Sequence, residues 1–287
     1  MTACIEAQGL RKTYGSTAAL SGVDLHVGEG RILGLIGPNG AGKSTTLDAI
    51  LGLISYEGTL QVLGLNPWTQ RETLMQQVAF IADVAVLPRW LRVNQALDYM
   101  EGIHPRFDRV KAEAFLAKTS IPPKARVKAL SKGMTAQLHL ALVMAIDAKL
   151  LVLDEPTLGL DILYRRQFYD SLLNDYFDHR RTILVTTHQV EEVQNVLTDV
   201  LFIQRGKITF SSSMEAFEAR YAEVMVRPEN LNAARVLKPV SERQVFGRSV
   251  LLFDGLEPEK AATLGEVRTP SLADVFVAMM TPQGGIQ

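Results

Sequence analysis

The stretch GPNGAGKST, from Gly37 to Thr45, limits what this chain can fold into more than any other part of the sequence. It fits the pattern of a glycine, four variable residues, and Gly-Lys followed by Ser or Thr. The apolar run RILGLIG precedes it, and the helical pattern TTLDAILGL follows it. A glycine-rich loop between a buried strand and a helix turns its backbone amides toward a phosphate group. The motif therefore predicts an α/β fold with a phosphate site at a strand end.

The residue types in this loop suit that chemistry. The glycines and Asn39 allow the positive-φ turns that wrap the backbone around a phosphate. Lys43 supplies a positive charge to the β- and γ-phosphates of a nucleotide, and the hydroxyl of Ser44 is a ligand for Mg²⁺. We assign the whole motif to the predicted nucleotide site: Gly37, Pro38, Asn39, Gly40, Ala41, Gly42, Lys43, Ser44 and Thr45.

A second buried strand, LLVLDEP, ends in two adjacent carboxylates, Asp154 and Glu155. Side chains alternate along a strand, so the two carboxylates need not share a task. Asp154 can hold Mg²⁺, and Glu155 can orient or deprotonate the water that attacks a γ-phosphate. The alternative is an acidic strand end exposed to water, and the phosphate loop elsewhere in the chain argues against it.

The third polar strand end is His188, which closes the apolar run TILVTTH. A histidine at such a position is more often structural than catalytic. The carboxyl ends of parallel strands meet at one edge of a sheet, however, and open α/β sheets bind their ligands there. We therefore predict that His188 reaches the γ-phosphate as a hydrogen-bond donor, beside the loop and the two carboxylates.

The turn ALSKGM, which contains Ser131 and Gly133, heads an apolar helix and follows a stretch of proline-separated helical segments. One interpretation is a plain helix cap, because a serine hydroxyl accepts a hydrogen bond from the amides of the first turn. The other is an anion site, formed by the same amides and the positive end of the helix dipole. Which of the two applies depends on whether the chain binds phosphate elsewhere.

Composition excludes several classes of protein. A formal net charge of −1 over 287 residues argues against binding to nucleic acid through a general positive field. The single cysteine, Cys4, cannot form an internal disulfide or a cysteine-rich zinc site, and we assign it no role. The amino terminus lacks the pattern of a secretory signal, and the apolar runs are too short for a membrane span. Any membrane role is expected to come through a partner chain.

These motifs and their order resemble the ATPase subunits of ABC (ATP-binding cassette) proteins. The resemblance covers roughly residues 3–210 and includes LSKGM, which is similar to the family signature Leu-Ser-Gly-Gly-Gln. It implies a P-loop NTPase of the ABC ATPase type, with a RecA-like core, an antiparallel β subdomain and a helical subdomain at about residues 84–148. We place this domain at 1–210. Residues 211–287 are expected to form a small C-terminal α/β domain, in which we find no motif.

The resemblance also implies ligands and partners. ATP and Mg²⁺ would bind between the phosphate loop of one subunit and Ser131 and Gly133 of another, in a homodimer or in a heterodimer with a second ATPase subunit. Tyr14 stands where the family stacks an aromatic ring on adenine, and Asp161 matches the loop that communicates between the two sites. The family location is cytoplasmic, peripheral on the cytoplasmic face of the inner (plasma) membrane, against transmembrane permease subunits made as separate chains.

The sequence departs from the family pattern at several positions. Lys132 and Met134 replace the Gly and Gln of the signature, and Gln137 stands where an arginine is usual. Asp83 stands where the family has a glutamine that reaches Mg²⁺ and the attacking water. An ionised carboxylate can bind Mg²⁺ but cannot donate a hydrogen bond. We therefore count Asp83 with Ser44 and Asp154 as a metal ligand, and we expect slower or differently coupled hydrolysis.

Two classes of function remain. In the first, the chain is the ATP-hydrolysing subunit of a transporter, and two copies closing on ATP drive the membrane subunits. The tail VRTPSLADVFVAMM is similar to the carboxyl end of exporter-type ATPase subunits, which favours export. In the second, the same ATPase serves DNA repair, chromosome organisation or translation. The single cassette, the lack of a long heptad repeat and the neutral charge argue against that class, and no nucleic-acid partner is expected.

Overall fold

The computed structural model describes residues 3–82, 87–158 and 160–280. Its strands are β1 (Ala3–Tyr14), β2 (Thr17–Gly28), β3 (Ile32–Ile36), β4 (Glu57–Val62), β5 (Val78–Ile81), β6 (Leu150–Asp154), β7 (Thr182–Thr187), β8 (Asp199–Gln204), β9 (Lys207–Ser213), β10 (Tyr221–Val226), β11 (Ser241–Val245), β12 (Arg248–Asp254) and β13 (Gly265–Arg268).

The α-helices are α1 (Lys43–Ile50), α2 (Arg71–Met75), α3 (Val93–Ile103), α4 (Arg109–Ala117), α5 (Lys132–Met144), α6 (Ile162–Ser171), α7 (Val190–Val193), α8 (Met214–Arg220), α9 (Leu231–Val236), α10 (Pro258–Leu264) and α11 (Leu272–Met280). Short 3₁₀ turns cover Val127–Ala129 and Pro228–Asn230, and a π-helical turn covers Leu172–Tyr176.

The central sheet has the strand order β5-β6-β7-β3-β8-β9, and all its neighbouring pairs are parallel except β8 with β9. Every residue of β3, β6 and β7 is buried, as expected for strands covered on both faces. These are the three apolar runs that the sequence predicts as buried strands, and they are adjacent. Their carboxyl ends therefore lie side by side at one edge of the sheet.

A smaller antiparallel sheet has the strand order β2-β1-β4 and packs on one face of the central sheet. Apolar residues of β1, β2 and β4 share one hydrophobic cluster with Leu33 and Leu35 of β3 and with Leu47 and Ile50 of α1. Helix α1 is thus enclosed between the two sheets. This packing fixes the direction in which its amino terminus points.

Helices α3 to α5, here called the helical stretch, have a hydrophobic cluster of their own. This cluster includes Leu97, Leu116 and Leu138. Helix α5 also contributes Leu140 and Met144 to the core of the central sheet. The α/β core, the antiparallel sheet and the helical stretch agree with the predicted fold class. None of the described helices is both long and apolar enough to span a bilayer.

The last part of the described chain contains a four-stranded antiparallel sheet, in the order β11-β12-β10-β13, with its own hydrophobic cluster. Helix α11 follows it and returns to the central sheet. Leu272 and Val275 are buried in the core of that sheet, and the ring of Phe276 lies 5.0 Å from that of Phe202. Residues beyond 210 therefore supply part of the packing of the central sheet.

Candidate functional site

The loop before α1 has two positions that only glycine can occupy. Gly42 has a φ of 109°, and a Cβ there would lie 2.8 Å from the carbonyl oxygen of Ala19. A Cβ on Gly37 would lie 2.5 Å from the carbonyl oxygen of Ile203. Both contacts are shorter than real Cβ atoms make, and they join the loop to β2 and β8. Space therefore requires glycine at both positions, and the positive φ requires it at Gly42 as well.

Helix α1 begins at Lys43 and presents a first turn without acidic side chains. The first amides of a helix have no partner within the helix, and together with the helix dipole they attract an anion. The Nζ of Lys43 donates a hydrogen bond of 2.7 Å to the carbonyl oxygen of Gly37, so the lysine folds back across the loop. This arrangement of amides and one cation fits a triphosphate.

Asp154 and Glu155 diverge at the end of β6. Asp154 is buried and accepts a hydrogen bond from the hydroxyl of Thr186 on β7. Glu155 has a φ of 46°, in the left-handed region, and its amide donates to the carbonyl oxygen of Thr186 at 3.1 Å. This turn directs the two carboxylates to different partners.

The carboxylate of Glu155 lies between two basic side chains. Its Oε1 is 3.5 Å from the Nζ of Lys43 and 2.9 Å from the Nδ1 of His188. Lys43 is the first residue of α1, Glu155 follows the end of β6, and His188 follows the end of β7. The structure thus brings the three predicted catalytic residues together at the edge where the three strands end.

The site also contains side chains suited to a divalent cation. No group of three or more His, Cys, Asp or Glu side chains with metal-ligand geometry occurs in the described part of the chain. Mg²⁺ bound with phosphates needs only one or two protein ligands, so this does not conflict with the prediction. Asp154 is a buried carboxylate, and Thr186 is its one hydrogen-bond partner among the described residues. Ser44 is exposed on α1, and Asp83 lies outside the described residues.

The signature-like turn lies apart from the phosphate loop. The Oγ of Ser131 accepts a hydrogen bond of 3.2 Å from the amide of Met134, so Ser131 caps α5. A Cβ on Gly133 would lie 2.6 Å from the ring of Tyr164 on α6. Within the described ranges, no hydrogen bond or ion pair joins Ser131 or Gly133 to residues 37–45. The capping role is observed, and the anion site stays a prediction.

Two other predicted residues have local partners. Asp161 caps α6, because its Oδ1 accepts hydrogen bonds of 3.1 Å from the amides of Leu163 and Tyr164. Tyr14 is 48% exposed at the end of β1, and the Nζ of Lys12 lies 5.3 Å from the centre of its ring. A half-exposed ring beside a cation can stack on a nucleobase, and this role of Tyr14 stays a prediction.

A cleft of about 590 Å³ separates the helical stretch from the residues that follow β6. Glu155 lies on its wall, as do the cationic side chains of Arg89, Lys128 and Lys132 and the imidazole of His139. Burial lowers the pKa of His139 below its usual value. The cleft therefore connects the predicted catalytic carboxylate with a positively charged surface on the helical stretch.

The sequence analysis missed several residues of the site. Thr186 binds Asp154 and the amide of Glu155, and its signal in the sequence is a hydroxyl residue within an apolar, buried strand. Arg165 and Glu192 form an ion pair between α6 and α7, beside Thr157. Neither residue belongs to a motif, and the sequence contains no signal that pairs them.

Comparison with known proteins gives a consistent result. The family model described as ABC transporter matches residues 20–158. The Nod factor export ATP-binding protein I of Cupriavidus metallidurans is 31% identical to this chain, and the alignment covers 97% of this chain and 98% of that protein. The ABC transporter ATP-binding protein YtrB of Bacillus subtilis is 26% identical over 96% of this chain and 97% of its own length.

Solved structures agree with the fold. A structure described as the ATP-binding subunit of an ABC transporter has a TM-score of 0.66 and 23% identity, and the match covers 75% of this chain and 92% of that one. The cbiO1 protein of Clostridium perfringens, described as part of the ABC transporter complex cbiONQ, has a TM-score of 0.65 and 20% identity. That match covers 82% of this chain and 98% of cbiO1.

Proposed function

The chain belongs to the family of ABC transporter ATP-binding proteins, and from this premise we propose that its ATP hydrolysis powers export through transmembrane subunits made as separate chains. Members of this family are ATPases. The observation that carries the proposal is the convergence of Lys43, Glu155 and His188 at the edge where β3, β6 and β7 end. Phosphoryl transfer depends mainly on positioning and charge stabilisation, and this edge supplies both.

Each side chain has a role in this proposal. Glu155 orients the attacking water and takes its proton, and its contacts with Lys43 and His188 hold the carboxylate in place. Lys43 and the amides of the phosphate loop stabilise charge on the β- and γ-phosphates. His188 donates a hydrogen bond to the γ-phosphate. Mg²⁺, held by Ser44 and Asp154, would neutralise charge that develops on the phosphate oxygens.

We extend the proposal to a head-to-tail dimer. ATP would lie between residues 37–45 of one subunit and the turn that contains Ser131 and Gly133 of the other. Two observations support this arrangement. Ser131 and Lys132 are exposed, and the amino terminus of α5 carries no acidic side chain that would repel a phosphate. A lysine at this position adds attraction for the triphosphate of the second subunit.

The direction of transport and the location are part of the same proposal. The most extensive match reported above is with an export ATP-binding protein, and this supports export over import. We place the protein at the cytoplasmic face of the membrane, bound to its transmembrane partners. The relatives reported above give no support to a role in DNA repair, chromosome organisation or translation. We keep residues 1–210 as the ATPase domain and 211–287 as the C-terminal domain.

Co-purification from native membranes tests this function. The full chain would be extracted in mild detergent, and the proteins bound in stoichiometric amounts would be identified by mass spectrometry. A polytopic membrane protein that depends on the chain for ATP-driven transport would support the proposal. A chain that is absent from the membrane fraction and bound only to soluble proteins or nucleic acid would contradict it.

A further inference from the structure

One ion pair joins the two segments that follow the proposed catalytic residues. Arg165 lies in α6, which begins after the turn that follows Glu155, and Glu192 lies in α7, which begins after His188. The Nη1 of Arg165 contacts the Oε1 of Glu192. No sequence motif and no part of the proposed mechanism accounts for this pair.

The pair holds the turn after Glu155 at two points. The Nε of Arg165 donates a hydrogen bond of 2.6 Å to the carbonyl oxygen of Leu160. The Oε2 of Glu192 accepts a hydrogen bond of 3.1 Å from the hydroxyl of Thr157. Thr157 is buried, and its hydroxyl lies 3.5 Å from the hydroxyl of Tyr169. Burial raises the pKa of Tyr169, so the phenol keeps its proton and stays a hydrogen-bonding neighbour.

The same guanidinium holds the segment after His188. The Nη1 of Arg165 donates a hydrogen bond of 3.0 Å to the side-chain oxygen of Gln189, the residue that follows His188. The amide of Gln189 in turn donates to the hydroxyl of Thr187 at 2.9 Å, which fixes the end of β7. Arg165 therefore bonds to one residue of each segment and to the acid on α7.

The position of Glu155 needs support of this kind. Its left-handed backbone is an unfavourable conformation for a residue with a side chain, and such conformations persist only where surrounding contacts hold them. A displacement of about 1 Å in a reacting group can lower a rate by about 10²-fold. Contacts that hold Glu155 and His188 relative to each other would therefore act on the rate of hydrolysis.

We infer that the Arg165–Glu192 ion pair is a positioning device that keeps Glu155 and His188 in register for hydrolysis. The inference rests on the proposed ATPase function and adds two residues to it. The side chains are 26% and 21% exposed, so salt screens the pair less than it screens a surface pair. Lysine cannot replace Arg165, because the planar guanidinium bonds to three acceptors in different directions and an ammonium lacks that geometry.

The kinetic test compares Arg165→Lys and Glu192→Gln with matched neighbours. Arg166 is the next residue of α6 and is exposed, and Glu191 is the exposed neighbour on α7, so Arg166→Lys and Glu191→Gln are the controls. We expect both variants of the pair to lose roughly 10- to 100-fold in kcat while KM for ATP stays unchanged. The controls should keep wild-type kcat. A kcat that is unchanged in the pair variants would overturn the inference.

A second measurement separates positioning from general destabilisation. If Arg165 positions Glu155 and His188 together, then Arg165→Lys should lower the residual single-turnover rate of Glu155→Gln by a smaller factor than it lowers the wild-type rate. An equal loss in both backgrounds would indicate a role that does not pass through Glu155, and would overturn the inference.

Hydrogen exchange tests the geometry without any hydrolysis. We expect Arg165→Lys to speed amide exchange in the segments after both Glu155 and His188, and Arg166→Lys to change neither. Faster exchange in only one segment, or in neither, would overturn the inference. A wild-type chain that fails to hydrolyse ATP would contradict the proposed function, while the exchange result would still decide the role of the pair.

Discussion

The Nδ1 of His188 lies 2.9 Å from the Oε1 of Glu155, and this contact determines where the imidazole carries its proton. When the carboxylate is ionised it can only accept, so Nδ1 must be the donor. The Nε2 of a neutral imidazole is then an acceptor and cannot donate to a phosphate. His188 must therefore either carry two protons or release Glu155 when it binds the γ-phosphate.

The first prediction concerns the charge of Glu155. Glu155→Gln keeps the shape of the side chain but removes its ability to take a proton, so we expect the hydrolysis rate to fall by about 10²–10⁴-fold. ATP binding should be retained, and the variant should accumulate as a dimer in MgATP. Phosphate release, nucleotide titration and size-exclusion chromatography measure these outcomes. Wild-type turnover in Glu155→Gln would contradict the assigned role, and Glu191→Gln is the control.

The second prediction concerns the contact between Gly133 and α6. In Gly133→Ala the new methyl group would lie 2.6 Å from the ring of Tyr164, so the turn or the ring must move. We expect slower hydrolysis, because the turn is proposed to complete the site of the second subunit. Nucleotide binding to the single chain should not change.

The control for Gly133→Ala is Gly102→Ala, since a Cβ on Gly102 of α3 has no neighbour within 4 Å. Adding Tyr164→Ala to Gly133→Ala should restore part of the lost rate by making space. Hydrolysis at the wild-type rate in Gly133→Ala would argue against a role for this turn.

The third prediction concerns pH. Burial lowers the pKa of His139 in the folded chain, while the unfolded chain takes up the proton near the ordinary value of 6.5. Below that value the unfolded state binds more protons, so the free energy of unfolding decreases as the pH falls. This contribution is present at about pH 7 and is lost progressively toward about pH 5. His139→Gln should therefore lose less stability over this range than the wild type.

Urea unfolding at both pH values measures this difference, and His26→Gln is the control, because the side chain of His26 is exposed. An equal loss of stability in His139→Gln and the wild type would show that His139 does not contribute.

The fourth prediction concerns a buried carboxylate in the C-terminal sheet. Glu223 accepts hydrogen bonds of 2.6 Å from both Arg243 and Arg268, and Arg243 also lies 3.3 Å from Asp274 on α11. Glutamine keeps one acceptor oxygen and replaces the other with an NH2 group, so Glu223→Gln weakens one of these hydrogen bonds and removes the other. We expect a loss of about 1–2 kcal/mol of stability, because the arginines are half-exposed and regain water. Thermal unfolding measures it, Glu266→Gln is the exposed control, and an unchanged midpoint would contradict it.

Much of the site could be predicted because its residues are adjacent to strong local patterns. The apolar runs that become β3, β6 and β7 each end in polar residues, and parallel strands bring such ends together. The segment SLADVFVAMM forms α11 in the structure. A local pattern shows that a helix has an apolar face, but it does not show which element that face packs against. The packing of α11 on the central sheet therefore could not be predicted.

The backbone at Glu155 shows a second limit. A proline favours an extended conformation in the residue before it, so the sequence Glu155-Pro156 predicts a continuing strand. The structure has a left-handed φ instead, held by the hydrogen bond to Thr186 of β7. The ion pair of Arg165 with Glu192 could not be predicted either, because it joins two helices that are distant in sequence.

The position of α11 has a consequence for synthesis of the chain. Phe276 covers Phe202, so the segment that completes the core of the central sheet leaves the ribosome long after the sheet itself. At about 5–20 residues per second, the uncovered apolar surface waits for several seconds. During that time the exposed apolar surface is available to chaperones. The sheet that carries the nucleotide site therefore keeps this surface exposed until α11 has been synthesised.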